Sequence, residues 1–356
     1  MKLLFYIHAI SGGGAERVLS TVVNRLIVEG KEIVLATDVN YPFAYNIDKR
    51  VKIVNMYEDV HVGLISGALQ LRKNIRRIAK QEKPNIIVGF LSALGCMVTA
   101  STLGLGIPVV VCEHTNISRF LGHALNIKRK LLYPLATCVT VLTRYDYCLL
   151  RKKLNNVVYL PNPVPLDRKE LPQRRNKVVL AVGRVNQWNV KGFDNLIKCW
   201  SQLCNDFPDW RLQIAGDGDD KSLSFLNQLI LETNTVNVEF LGFRKDVNSL
   251  MQTSEVFCLS SRVEGLPMAL IEAMNAGCCC VSFDVKTGPR EIIVNNKSGL
   301  LSEDQNNKDL TNKLRLVLSN EDLRHSLAAN APSSVEKYSI DRVIRRWNIM
   351  FNKILK

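Results

Sequence analysis

The sequence predicts an α/β protein made of two doubly wound, Rossmann-like domains that face each other across a cleft. Three observations carry that expectation. Short apolar runs alternate with helical patterns in two separate series, as in parallel sheets covered by helices on both faces. Between the series lies PNPVPLDRKELPQRRN, residues 161–176, which holds four of the twelve prolines and no periodicity, and so reads as a linker. A chain of 356 residues also exceeds one ordinary core, so two domains are the default.

The first domain, residues 1–160, opens with the strand LLFYIHA, passes through Gly12–Gly14 and continues with the helix AERVLSTVVNRLIVEG and the strand EIVLAT. Its first apolar run is too short for a signal peptide and leads straight into glycines, so it is read as a strand. Residues 40–65 follow no usable pattern. From Pro84 to Cys112 there is no charged residue, a length that could span a bilayer. Internal punctuation divides it instead into strand NIIVGF, helix SALGCMVTASTLGL and strand IPVVVC, a βαβ unit.

The second domain, residues 177–340, repeats the alternation with VVLAVG, NLIKCWSQLC, RLQIAG, SLSFLNQLILE, VEFLG, VFCLS, a helix near 267–276, CCCVSF and closing helices. The amphipathic run DRVIRRWNIMFNKIL, within residues 341–356, is expected to return to the N-terminal domain.

Charge is uneven. The formal net charge is +14, and residues 1–170 carry +11 of it, from 23 Lys and Arg against 12 Asp and Glu. A polyanionic partner follows: nucleic acid, an anionic membrane surface or a phosphorylated substrate. Arg72, Lys73, Arg76, Arg77 and Lys80 share one face of a predicted helix, opposite Leu71, Ile75, Ile78 and Ala79, with further clusters at Lys128-Arg129-Lys130 and Arg151-Lys152-Lys153. A solvated helix face is the bland account of these; three clusters in one half favour a membrane surface or a lipid phosphate. The basic helix lacks interleaved aromatics, which disfavours nucleic acid. Ten cysteines form no CxxC pair and no metal-ligand spacing, as expected of reduced cysteines in buried elements.

Several motifs fall at strand ends. Gly13 and Gly14 follow the first strand and precede a helix, so their backbone can approach a phosphate. The pattern is not GxGxxG, and Asp38 lacks the matching spacing, which disfavours a dinucleotide oxidoreductase. Gly183-Arg184 closes the strand VVLAVG, and Lys191-Gly192 comes just before the next helix. In EGLPMALIEAMNAG, Glu264 lies on the approach to a helix with Pro267 at its first position, and Glu272 lies roughly two turns in. Cations and a helix N-terminus suit phosphates, and carboxylates suit sugar hydroxyls. Asp217-Gly218-Asp219 matches the loose DxD pattern of metal-dependent sugar transferases, but its flanking glycines favour a turn and helix N-cap. His114 follows the strand IPVVVC and faces the expected cleft.

These residues resemble the retaining, GT-B-fold glycosyltransferases of the family 4 type, through GGGAERV at 12–18, CEHTN at 112–116, NPV at 162–164, VGRV with KGFDNLI at 182–197, IAGDGDD, VEFLGF and the Glu264-x7-Glu272 motif. The resemblance covers essentially the whole chain. It implies a UDP-sugar donor whose diphosphate is held by Arg184 and Lys191, with Gly13 and Gly14 approaching it. Glu272 would bond the ribose and Glu264 the sugar hydroxyls, with the backbone of Leu266, Pro267 and Met268 on the phosphate side. His114 would stand near the sugar and the acceptor, and Phe243 and Arg244 near the base. It further implies retention of anomeric configuration and neither metal nor other cofactor.

The chain looks similar to bacterial members that extend undecaprenyl-diphosphate-linked oligosaccharides in O-antigen, capsule or related glycan assembly. The expected sugar is N-acetylgalactosamine, with galactose, glucose and N-acetylglucosamine as alternatives. In some such members a basic helix engages the lipid diphosphate, a position matched by Arg72, Lys73, Arg76, Arg77 and Lys80. The place implied is the cytoplasm, peripheral on the inner face of the plasma membrane. The alternatives are a sugar-nucleotide epimerase of similar fold, a glycoside hydrolase with paired carboxylates about 5–10 Å apart, or a non-catalytic binding module.

Overall fold

A computed structural model describes residues 1–60, 65–120, 122–166 and 174–356. The chain divides into two compact units, one formed by Met1–Pro163 with Ile340–Lys356 and the other by Val164–Ser339. Residues 167–173 of the proline-rich stretch lie outside the described residues.

In the first unit the order is β1 (Lys2–Tyr6), α1 (Gly14–Val28), β2 (Glu32–Thr37), β3 (Lys52–Asn55), α2 (Ile65–Glu82), β4 (Ile86–Phe90), α3 (Ser92–Thr102), β5 (Val109–Cys112), α4 (His123–Leu132), β6 (Cys138–Val141), α5 (Arg144–Arg151) and β7 (Val157–Tyr159). The strands form one sheet in the order β3-β2-β1-β4-β5-β6-β7, parallel at every pairing. Strands β1, β4 and β5 are near-continuous apolar runs because helices cover both of their faces. The uncharged stretch is the predicted βαβ unit, and no helix among the described residues is long and apolar enough to cross a membrane.

The second unit runs β8 (Asn176–Val182), α6 (Trp188–Lys191), α7 (Phe193–Ser201), β9 (Arg211–Ala215), α8 (Asp220–Glu232), β10 (Val238–Gly242), α9 (Val247–Thr253), β11 (Ser254–Leu259), α10 (Met268–Asn275), β12 (Cys279–Phe283), α11 (Pro289–Ile292), β13 (Leu300–Ser302), α12 (Asn307–Ser319) and α13 (Glu321–Val335). Its sheet is also fully parallel, ordered β10-β9-β8-β11-β12-β13. Trp200, Phe257, Phe283 and the buried cysteines Cys199, Cys258 and Cys279 lie in its core. Chain direction reverses its march between β8 and β11, and in open sheets of this kind a crevice forms at the carboxyl ends of such a pair.

The last helix, α14 (Ile340–Ile354), belongs to the first unit. It buries Val343, Ile344, Trp347, Met350 and Phe351. The Trp347 ring stands 6.3 Å from that of Phe5 and 6.4 Å from that of Phe90, and Asp341 pairs with Arg25 on α1 at 2.7 Å.

Candidate active site

The site in the second unit is built where β8 and β11 end. Strand β8 stops at Val182, and Gly183 and Arg184 turn away from the sheet. Arg184 is exposed and its guanidinium has no partner among the described residues. The chain then makes α6, whose last residue is Lys191, and Gly192 adopts φ +67°, where a Cβ would stand 1.9 Å from the Ser260 carbonyl oxygen. Only glycine lets this loop lie against the end of β11. The Lys191 stem packs over Gly183, where a Cβ would meet its Cγ and Cδ at 3.1 Å.

Glu264 lies on the loop after β11. Its Oε1 accepts from Lys191 Nζ at 2.9 Å and from Ser261 Oγ at 2.7 Å, and its backbone carbonyl accepts from Thr287 Oγ1. Ser260 Oγ donates to the Lys191 carbonyl at 2.9 Å, so the two loops are tied through backbone as well as through charge. Arg262 adds a fork: two guanidinium N–H groups donate to the two Asp194 oxygens, each at 2.7 Å, and a third bond reaches the Asn189 carbonyl at 2.6 Å. Planar pairing of this type fixes direction as well as distance. Hydrogen bonding to Asp194 holds the Arg262 guanidinium above its ordinary pKa.

The helix after Glu264 differs from expectation in two ways. Pro267, with ψ 98°, is the N-cap and not the first helical residue, and α10 spans only Met268–Asn275. Glu272 is therefore one turn into the helix, closer to its mouth than two turns. It is half-buried, as is Met268, while Leu266 and Pro267 are buried. The first N–H groups of α10, from Met268 onward, precede any intrahelical bond, so this end carries partial positive charge. Arg184, Lys191 and this helix end give the sheet edge positive charge, with Glu264 and Glu272 as its carboxylates.

Phe243 and Arg244 follow β10. Phe243 is 70% exposed, and Arg244 forms a two-bond pair with Asp246 at 2.8 and 2.6 Å, which holds the Asp246 carboxyl below its ordinary pKa. In the DxD stretch, Asp219 caps α8 by accepting from the Ser222 N–H at 2.7 Å, the predicted N-cap.

In the first unit, Gly13 is the N-cap of α1 and Gly14 its first residue. The Glu16 carboxylate accepts from the N–H of Gly12 at 2.6 Å and of Gly13 at 3.0 Å, so the turn already holds an anionic side chain. A Cβ on Gly14 would meet nothing within 4 Å. His114 follows β5 and stacks on Phe90 with centroids 4.7 Å apart. Both ring nitrogens are buried without a partner among the described residues, and burial pulls the imidazole down to about 4.

Beneath His114 lies a network that the sequence does not announce. Glu113, 1% exposed, accepts from Arg129, Tyr133 and Ser92 on Oε2 at 2.6, 2.7 and 2.5 Å, and from the Thr115 N–H and hydroxyl on Oε1. Burial, with the Glu113 charge beside it, raises the Tyr133 hydroxyl far above its ordinary pKa. Arg129 is thus an internal partner, and the basic cluster at 128–130 presents only Lys128 and Lys130 to solvent.

The basic face of α2 is corrected in the same way. Arg76 donates to the carbonyls of Ser101 and Leu103 at 2.9 and 2.8 Å, closing the end of α3, and Arg77 pairs with Glu58 at 2.7 Å. Arg72, Lys73 and Lys80 are exposed with no partner among the described residues.

Two family models match in tandem: "Glycosyltransferase Family 4" over residues 12–168 and "Glycosyl transferases group 1" over residues 165–334. The chain is a GT-B glycosyltransferase. This transferase is similar to the GalNAc-α-(1→4)-GalNAc-α-(1→3)-diNAcBac-PP-undecaprenol α-1,4-N-acetyl-D-galactosaminyltransferase of Campylobacter jejuni, at 27% identity over 98% of this chain and 97% of the relative. It is also 29% identical to the amylovoran biosynthesis glycosyltransferase AmsD of Erwinia amylovora, over 99% of both chains. Anabaena HepE, solved with UDP and glucose, shares the transferase's fold with a TM-score of 0.85 over 99% of both chains at 18% identity.

Sequence reasoning missed the Arg262–Asp194 fork and Ser261. Both lie beside residues it singled out, within KGFDNLI and directly before Glu264, and that adjacency is the signal that could have found them.

Proposed function

We propose that this transferase moves a hexosyl or N-acetylhexosaminyl group, N-acetylgalactosamine first among them, from a UDP-sugar to an undecaprenyl-diphosphate-linked oligosaccharide, with retention and without a metal. The observation that carries the donor side is the loop pair at the carboxyl edge of β8 and β11. Arg184 has a guanidinium without a partner among the described residues, available for a diphosphate, and Lys191 retains N–H donors beyond the one given to Glu264. On this reading Glu272 bonds the ribose, Glu264 orients the sugar hydroxyls, and the N-terminus of α10 faces the phosphates through Leu266, Pro267 and Met268. Phe243 and Arg244 border the base.

In the reaction, the acceptor hydroxyl forms its bond to C1 on the face from which the C1–O bond to phosphate breaks. Its proton passes to the departing phosphate oxygen, and UDP leaves. Cations that hold the diphosphate stabilise the charge that builds on it. His114, held neutral by burial, contributes an uncharged ring beside the sugar, and Gly13 and Gly14 line the approach.

The acceptor class rests on the names of the relatives and on charge. Arg72, Lys73 and Lys80 project from α2, and Lys128 and Lys130 flank Ile127 and Leu131 on α4, which are 58% and 62% exposed. Exposed apolar side chains edged by lysines suit the interface of an anionic membrane, and this supports a peripheral place on the inner face of the plasma membrane.

The test is UDP release over a panel of UDP-sugars, with undecaprenyl-diphosphate sugars as acceptors and with EDTA present. Acceptor-dependent release that survives EDTA is expected. Absence of release in every combination, GDP-sugars included, would overturn the reading.

A further inference from the structure

Three aromatic rings meet at the carboxyl edge of the first unit's sheet, in the stretch where the sequence has no readable pattern. His8 follows β1, Tyr41 follows β2 and Tyr57 follows β3, and these three strands are neighbours in the sheet. His8 Nδ1 and Tyr57 Oη are 2.6 Å apart, and the His8 ring lies 5.0 Å from that of Tyr57 and 6.1 Å from that of Tyr41. His8 is exposed and Tyr41 is 48% exposed, so neither ring earns its place by filling a core.

The backbone beneath the rings is pinned. The His8 carbonyl accepts from the Asp38 N–H at 2.9 Å and from Thr37 Oγ1 at 3.2 Å. The turn that carries Tyr57 is held on both sides by buried Asn74 of α2, which donates to the carbonyls of Met56 and Glu58 at 3.2 and 2.7 Å. Asp38, 6% exposed, spends Oδ1 on the N–H and side-chain amide of Asn40, which leaves Oδ2 without a partner among the described residues. The cluster thus joins exposed ring faces to one carboxylate oxygen on a rigid edge.

We infer that His8, Tyr41 and Tyr57, with Asp38, form a shelf that takes a neutral pyranose ring of the acceptor. The inference rests on the glycosyl-transfer reading above and adds the residues that would hold the acceptor sugar. A pyranose has an apolar C–H face and a rim of hydroxyl donors. An aromatic ring with a polar tip matches the face, and Asp38 Oδ2 can accept from the rim. The Asp38 carboxylate, close enough for its charge to act on the Tyr57 hydroxyl, suits a hydroxyl-bearing ring and repels a phosphate. Ligands of parallel sheets bind at this edge, and sites of this kind pair apolar walls with a few placed polar groups.

Two measurements on the full chain test the shelf. In steady-state transfer, Tyr41→Ala and His8→Ala are expected to raise the acceptor KM at least tenfold while leaving the donor KM and the melting temperature within error. An acceptor KM within twofold of wild type in both variants would overturn the shelf. Independently of turnover, saturation-transfer NMR with methyl glycosides of N-acetylgalactosamine, N-acetylglucosamine, galactose and glucose should show contact with wild type that Tyr41→Ala loses. Equal contact in wild type and variant, or none with any glycoside, would overturn the shelf. Failure of all transfer by wild type, with the NMR contrast intact, would count against the proposed reaction and leave the shelf standing.

Discussion

Lys191 and Glu264 hold each other at 2.9 Å across two loops that leave adjacent strands, with 24% and 11% of their side chains exposed. Each is the other's neutralising partner at an edge otherwise arranged for a charged ligand. Truncating either leaves the survivor's charge partly desolvated and without its counter-ion, which costs about 1–3 kcal/mol. Both Lys191→Ala and Glu264→Ala are expected to lower kcat/KM at least a hundredfold while the far-UV circular dichroism stays native. A variant within threefold of the wild-type rate would remove that residue from the reaction.

Arg262 makes a sharper case, because its role is geometric. Arg262→Ala frees Asp194 and loosens the segment from Ser260 to Glu264, with an expected loss of roughly 2–4 kcal/mol in stability for a broken, partly buried pair. Arg262→Lys should recover little of it, since an ammonium cannot present two parallel donors. Urea denaturation of the two variants compares them directly; full recovery by lysine would show that charge and not the fork matters.

Gly192→Ala and Gly14→Ala form a matched pair. The first forces a left-handed residue and a Cβ into the Ser260 carbonyl, and should cost more than about 2 kcal/mol and disturb Lys191. The second adds a methyl where nothing lies within 4 Å, and the melting temperature should stay within about 2 °C of wild type. Similar melting curves for both would contradict the loop geometry.

His114 gives a pH prediction. Its folded pKa of about 4 lies below the unfolded value near 6.5, so the unfolded state binds the extra proton first. Stability is therefore unaffected by this group above pH 6.5 and falls as pH drops from about 6.5 to 4, by on the order of 3 kcal/mol at most. NMR titration of the histidine ring protons should show one residue still neutral at pH 5.5, absent in His114→Ala. A His114 midpoint at 6 or above would remove the effect.

Arg72, Lys73 and Lys80, the cations of α2 without a partner among the described residues, separate charge from structure. Reversing Arg72, Lys73 and Lys80 to Glu should weaken binding to anionic vesicles at least tenfold and leave the melting temperature unchanged. Arg76→Ala should do the opposite, destabilising by about 1–3 kcal/mol through two lost carbonyl partners. Vesicle sedimentation and calorimetry on both sets decide it.

How much of this was readable in advance depended on where each partner lay. Strands such as Leu3–Tyr6 or Val178–Val182 are unbroken apolar runs, and a cation or glycine directly after one marks the sheet edge, so Arg184 and the Glu264 loop could be placed from the sequence. Strands β6 and β7 and helices α4 and α5 were not predicted, because they are short and fall within or beside the basic clusters at 128–130 and 151–153. Arg129 and Arg76 misled for one reason: a guanidinium bonded inside the protein has the same letter as one in solvent. Only the fold brings Glu113, Ser92 and Tyr133 around the first, and the end of α3 around the second. The shelf of His8, Tyr41 and Tyr57 was illegible because its members come from three separate loops.

The return of Ile340–Lys356 to the first unit has a consequence for biosynthesis. Domains usually mature in the order in which they leave the ribosome, at about 5–20 residues per second. Here the segment from Val164 to Ser339 can close its own sheet while the earlier-made portion still waits for its last helix, for roughly 10–40 s. Throughout that interval Phe5 and Phe90 lack the Trp347 side chain that later packs beside them. The half synthesised first is completed last, and a nascent chain stalled before Ile340 would offer an uncovered aromatic surface to chaperones.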